Sequence, residues 1–206
     1  MLRQRIAEGE GISLEFKSTV ESAQRIARTL AAFANTRGGT LLIGVEDDGQ
    51  ISGIFSEAEE MAQIEQAAEQ VCEPPIDLTY QSRYEGEMHV LVIEIGESDR
   101  KPHFVRGTNG EKQVYVRVHD KNMPAGSNAE KQLDYEPVTA SKALLQSANV
   151  KSLLKYLETN DFITVKRYAK LINISERRAG KLLTDLAEAH VLTIVERDSS
   201  VVYALK

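Results

Sequence analysis

Thr40-Leu41-Leu42-Ile43-Gly44-Val45 is the stretch that most restricts what this chain can fold into. A short, nearly all-apolar run of this kind reads as a strand covered on both faces. Upstream, Glu21 to Asn35 places Ala23, Ile26, Ala27, Leu30, Ala31 and Ala34 at helical spacing on one face. Arg37-Gly38-Gly39 ends that helix, because glycine accepts the left-handed conformation that helix ends use. Before it, Ser13 to Lys17 alternates polar and apolar and reads as a strand. After it, Asp47-Asp48-Gly49-Gln50 suits a tight hairpin turn, with Ile51 to Ile54 as the return strand. The unit is therefore strand, helix, strand, hairpin, strand.

The remaining elements extend this unit into an α+β domain with a mixed sheet. Leu2 to Glu8 reads as a leading helix. Ser56 is placed to cap a helix reaching about Cys72, with Glu59 three residues on and Pro74-Pro75 as its stop. Ile76 to Tyr84 and Met88 to Ile95 read as strands joined by a turn. His103 to Arg106 is a short strand, and Gln113 to Val118 carries Val114, Val116 and Val118 on one face. The stretch 127–143 is expected to be partly helical, with Pro137 interrupting it.

From Ala148 on, the pattern changes. Three helices are expected, at Val150–Glu158, Val165–Ile172 and from the Ser175 cap to His190. Two strands follow, Leu192–Glu196 and Val201–Leu205. Three helices with a terminal hairpin match a winged helix-turn-helix, and Tyr168 to Ser175 with Leu182-Leu183 and Leu186 resembles that family. The expected domains are 1–140 and 148–206. The second holds ten Lys and Arg against seven Asp and Glu, a net of +3, while the remainder carries −9. On the third helix, Ala179, Leu182, Leu183 and Leu186 share one face, and Arg177, Lys181 and Thr184 lie opposite. Arg178 on that helix, Lys166 and Lys170 on the one before it, and Arg197 in the hairpin complete a basic set suited to DNA. The alternative is an ordinary solvated face on a protein-contact module. One helix has a small basic footprint, so a homodimer reading two half-sites about 34–36 Å apart is expected.

Several blocks resemble the Schlafen-type AlbA_2 domain over about 9–140: Glu10-x4-Glu15-Phe16-Lys17, Phe33-Ala34-Asn35-Thr36-x-Gly38-Gly39, Leu42 to Gly49 with Ile51-x-Gly53, Lys101-Pro102-His103 and Tyr115 to Val118. Bacterial members are described as DNA-binding domains or transcriptional regulators, so the resemblance implies DNA as partner. Vertebrate Schlafen relatives include RNA endonucleases using acids at the Glu-x4-Glu motif. That implies a second reading, with RNA or DNA as substrate, Glu10, Glu15 and either Glu46 or Asp47 as the acids, and Mg²⁺ or Mn²⁺ as the metal. Carboxylates are the ligands those ions prefer. Residues five apart on a straight strand face opposite sides, so Gly11 must bend the chain for Glu10 and Glu15 to converge.

Other classes find no support in the residues. The single cysteine, Cys72, excludes an internal disulfide framework and reads as a buried thiol. No G-x-x-x-x-G-K-[ST] occurs, so the glycines read as turns. His89, His103, His119 and His190 lack metal-ligand spacing, and no resident cofactor is expected. No apolar run reaches membrane length and the start lacks a signal-like apolar stretch, so a cytoplasmic location is expected. Arg100, Lys101, His103, Arg106 and Arg117 read either as a basic strip for phosphate or as a solvated loop.

Overall fold

A computed structural model describes residues 2–126, 145–198 and 200–206 of the 206. The expected partly helical stretch 127–143, and the expected domain end at 140, lie outside the described residues. The chain divides into two compact units, Met1–Asn122 and Met123–Lys206. The class is α+β, with a mixed sheet.

In the first unit, helix α1 (Leu2–Glu8) leads into strand β1 (Leu14–Lys17), helix α2 (Ala23–Asn35) and strand β2 (Gly39–Ile43). Ser22 caps α2 by accepting a hydrogen bond from the Arg25 N–H. The α2 crossover makes β1 and β2 parallel, with Phe16 opposite Leu42. Helix α3 (Glu57–Gln66) starts on Ser56, whose hydroxyl accepts from the Glu59 N–H, and winds on as a π-helical turn over Ala67–Val71. Then come β3 (Cys72–Glu73), β4 (Leu78–Glu85), β5 (Met88–Ile95), β6 (Phe104–Arg106), β7 (Lys112–Val118) and β8 (Lys121–Pro124), whose last two residues belong to the second unit. One sheet runs β1-β2-β5-β4 and a second β3-β6-β7-β8.

The apolar run is covered on both faces. Leu41 and Ile43 pack with α2, α3 and the β5 residues Leu91, Ile93 and Ile95. Leu42 and Val45 pack on the other side with Leu14, Phe16, Val90 and Val92, and α1 adds Leu2 and Ile6. The expected return strand at 51–54 is a single bridge, Val45 to Ile51. The Ser52 and Gly53 N–H groups both bond the Gly44 carbonyl, and Ile54 N–H turns to His89 O on β5. Gly44, at φ +95°, lies so close to Gly53 and His89 backbone that a Cβ would stand 2.9–3.0 Å from them.

The second unit holds α4 (Ala148–Leu157), α5 (Val165–Leu171), α6 (Glu176–Glu188) and the hairpin of β9 (Leu192–Arg197) and β10 (Ser200–Leu205). Its core combines Val150, Leu153 and Leu157 of α4 with Tyr168, Leu183, Leu186, Val195 and Val202. The Tyr168 hydroxyl, inside this core, donates to Asn149 O at 3.1 Å. Ile163 joins β10 by paired bonds with Tyr203, 2.8 and 2.9 Å. Among the described residues no helix is long and apolar enough to cross a membrane.

Candidate nucleic-acid interface

The sharp turn between α5 and α6 is built by local chemistry. Ile172 ends α5, Asn173 takes φ +52°, and Ile174 N–H returns to Ala169 O at 3.0 Å. Asn tolerates this conformation better than most residues. Ser175 then starts α6 by accepting from the Arg178 N–H. Ala179, Leu183, Leu186 and Ala187 are buried, while Leu182 is only half-buried. Arg177, Lys181 and Thr184 share the opposite, exposed face, and Arg178 is exposed beside them. Lys166 and Lys170 are exposed on α5. Among the described residues none of these five cations has a side-chain ion pair, so their charge is available to a polyanion. A Cβ on Gly180 would meet Val165 at an ordinary 3.6 Å, so no close backbone approach depends on that glycine.

Two neighbouring cations are already engaged. Arg197 lies over the Phe162 ring at 4.4 Å and 3.5 Å from the Asp198 carboxylate. Arg167 lies 5.8 Å from the Tyr156 ring centre. Such contacts hold the guanidinium plane while leaving its edge donors in water.

The acids of the first unit sit differently. The chain does turn at Gly11, whose N–H bonds Leu14 O at 2.9 Å, and this brings Glu10 back beside β1. Glu10 Oε1 accepts from Phe16 N–H at 2.8 Å. Burial pushes the Glu10 carboxyl above its usual range, the Phe16 bond opposes this, and the Glu15 and Asp47 charges add to it. Glu15 is buried on β1 between two cations, with Lys17 Nζ 2.9 Å from Oε1 and Arg117 Nη1 2.5 Å from Oε2. Glu46 is half-buried and Asp47 exposed on the following turn. Among the described residues no three His, Cys, Asp or Glu side chains group closely enough to hold a metal ion. Arranged this way, with Glu15 neutralised twice over, the acids do not fit direct coordination of Mg²⁺ or Mn²⁺.

The basic strip is also corrected. Arg117 and His103 are fully buried. Arg100 pairs with Asp77, Lys101 with Glu97 and Arg106 with Glu73, so each cation there has an acid at hand. The Arg117 guanidinium donates to Gly11 O, Leu14 O and Asn122 Oδ1, and lies 5.0 Å from the Phe33 ring centre. The Arg117 N–H bonds Thr36 Oγ1 at 2.9 Å. Next to Thr36, buried Asn35 donates to His103 O and Tyr115 O and accepts from His103 N–H. Gly38 and Gly39 press against Ile95–Glu97 backbone and the Phe33 ring. The Asn-Thr-x-Gly-Gly block is thus a knot joining α2 to both sheets. Its sequence signal was two small polar residues at the end of an apolar helix, where open solvent would have served equally well.

His103 provides a pH test of this knot. Its ring bonds Pro74 O at 2.8 Å and Ser98 Oγ at 2.7 Å, and burial holds it below the usual value of 6.5. The unfolded chain therefore binds this proton at higher pH than the folded one, so stability rises with pH between the two values. The contribution is complete above about pH 6.5 and is lost as pH falls through the folded value. The urea midpoint should drop from about pH 7.5 to about pH 5, and His103→Gln should flatten that slope. An identical slope in the variant would assign the effect to other groups.

A family model described as Schlafen, AlbA_2 matches residues 10–126. No curated protein matches the chain. Among solved structures, the chain is similar to the N-terminal domain of a RecG-related protein from Nitrosomonas europaea, at 22% identity and a TM-score of 0.46, over 56% of this chain and 84% of that one. It is also similar to the DIP2311 protein from Corynebacterium diphtheriae, at 20% identity and a TM-score of 0.44, over 74% of this chain and 31% of that one.

Proposed function

This chain belongs to the Schlafen AlbA_2 family over residues 10–126, and from that premise we propose that it is a DNA-binding transcriptional regulator whose second unit works as a winged helix-turn-helix. Family membership suggests nucleic-acid binding. The observation that carries the finer reading is the unpaired basic face of α6 and α5. Arg177 and Lys181 lie one turn apart on the exposed side of the helix after the tight turn, the side that enters a major groove in such modules. Lys166 and Lys170 then meet backbone phosphates, Arg178 and Thr184 flank the groove-facing line, and Arg197 approaches from the hairpin. Net charge of −6 for the whole chain limits loose binding, so affinity depends on this local patch.

The test is a salt titration of the full chain on a duplex DNA pool and on the sequence selected from it, for wild type, Arg177→Ala and Lys181→Ala. Loss of a phosphate contact at Lys181 should weaken all sequences alike and lower the salt slope by about one. Loss of a base contact at Arg177 should cost about 1–3 kcal/mol on the selected sequence and relax specificity. Binding indifferent to salt, or unchanged in both variants, removes the reading. The same samples with Mg²⁺ or Mn²⁺, on duplex DNA, single strands and structured RNA, report strand cleavage; cleavage lost in Glu10→Gln/Glu15→Gln would move the assignment to the nuclease reading.

A further inference from the structure

Strand β4 ends its sheet and leaves one edge open. It is eight residues long, in unbroken register with β5 from Leu78 opposite Ile95 to Glu85 opposite Met88. That last pair closes a two-residue turn, Gly86-Glu87, with Gly86 at φ +63°. In such a hairpin the closing pair exchanges both bonds, so alternate residues from Glu85 back turn their backbone toward β5. Leu78, Tyr80, Ser82 and Tyr84 consequently aim N–H and C=O outward. Among the described residues no backbone group bonds them from that side. Of the usual protections of an edge, β4 lacks a proline, a bulge and a lysine, and carries only the charges of Arg83 and Glu85. Tyr80 and Tyr84, which are 47% and 66% exposed, flank Ser82 on the same face.

We infer that β4 pairs with β4 of a second copy of this chain, antiparallel, about a two-fold axis at Ser82. The strand is self-complementary in that register. Ser82 meets Ser82, and Tyr80 meets the second copy's Tyr84 twice over, so every outward-facing group between them finds its counterpart. Arg83 falls opposite Gln81, the residue whose side chain it already bonds within one chain. Glu85 falls opposite Thr79. Sliding the partner by two residues in one direction sets Arg83 against Arg83, like charges face to face, which opposes pairing. Sliding it in the other direction sets Gln81 against Gln81 and Arg83 against Thr79, so Arg83 loses its amide partner. The outcome is one continuous eight-stranded sheet. This inference stands apart from the DNA reading, since β4 lies in the other unit.

Sedimentation of the full chain over about a hundredfold range of concentration tests it. A concentration-dependent dimer is expected. Gln81→Glu places an acid opposite each Arg83, and Gln81→Arg places a like charge there; both positions are exposed in the single chain. The two symmetry-related pairs should tighten the dimer about tenfold in the first variant and weaken it about tenfold in the second. Ser82→Pro removes an outward N–H that the single chain does not use and should leave a folded monomer. Should Ser82→Pro fail to fold, the charge pair still reads the interface. A monomer at all concentrations in wild type and Gln81→Glu overturns the inference. So does a dimer whose strength is the same in both charge variants, or ordered the other way.

Discussion

Arg117→Met is expected to cost about 3–5 kcal/mol of folding stability, the range for breaking a buried ion pair from one side. The guanidinium is fully buried and satisfies Gly11 O, Leu14 O and Asn122 Oδ1 while facing Glu15. Its removal leaves Gly11 O and Asn122 Oδ1 without this donor, leaves Leu14 O with the Gly11 N–H alone and takes one of two counter-charges from Glu15, and methionine fills the volume without supplying a donor. Glu15 keeps Lys17, so Glu15→Gln should be milder than Arg117→Met. The double change should cost less than the sum of the two, because the residues share one interaction. Urea unfolding of the three variants measures this. A loss below about 1 kcal/mol for Arg117→Met would mean that water replaces the guanidinium, and the knot is not closed as described.

Gly38→Ala should cost about 2–4 kcal/mol, from a strained positive φ and from overpacking against backbone that has no rotamer to change. The added Cβ would stand 2.6 Å from Ile95 O and 2.8 Å from Glu97 N, at φ +73°. Gly86→Ala is the internal control. Gly86 has a similar φ of +63° with nothing within 4 Å, so it carries the conformational cost alone, about 1 kcal/mol. Equal losses in thermal unfolding of the two variants would show that contact with Ile95 and Glu97 contributes nothing.

Local elements were legible because their causes are local. Ser56 and Ser175 each cap the helix that follows, and helical spacing alone identified the buried side of α2. Alternation found Val114, Val116 and Val118, which are all buried. The fate of charged residues was not legible, because it depends on partners far along the chain. Nothing near Arg117 in sequence announces Gly11, Leu14 and Glu15, and an arginine between valines suits a phosphate strip equally well. The return strand after Gly49 failed for a related reason. Two glycines fold on each other there, and Ile54 is drawn to β5 across 35 residues, a competition that a strand pattern does not record. The basic face of α6 was readable as a surface, since helical geometry sends Arg177 and Lys181 away from Leu183. Half-burial of Leu182 shows how far such a projection blurs at the face boundary. The outward edge of β4 was readable only as a strand; its open side follows from the sheet order.

The arginine buried between β1 and β7 also limits how this protein can drift in sequence. Lysine brings one point charge where a forked guanidinium makes four hydrogen bonds and an ion pair, so it cannot serve Gly11 O, Leu14 O, Asn122 and Glu15 together. Loss of Asn122 strands a donor, and loss of Glu15 removes the counter-charge. A lineage can therefore leave this arrangement only through several changes at once, each harmful alone. Positions 15, 117 and 122 should behave as one inherited character, exchanged as a set or kept, while the exposed cations of α6 remain free to vary one at a time as targets change.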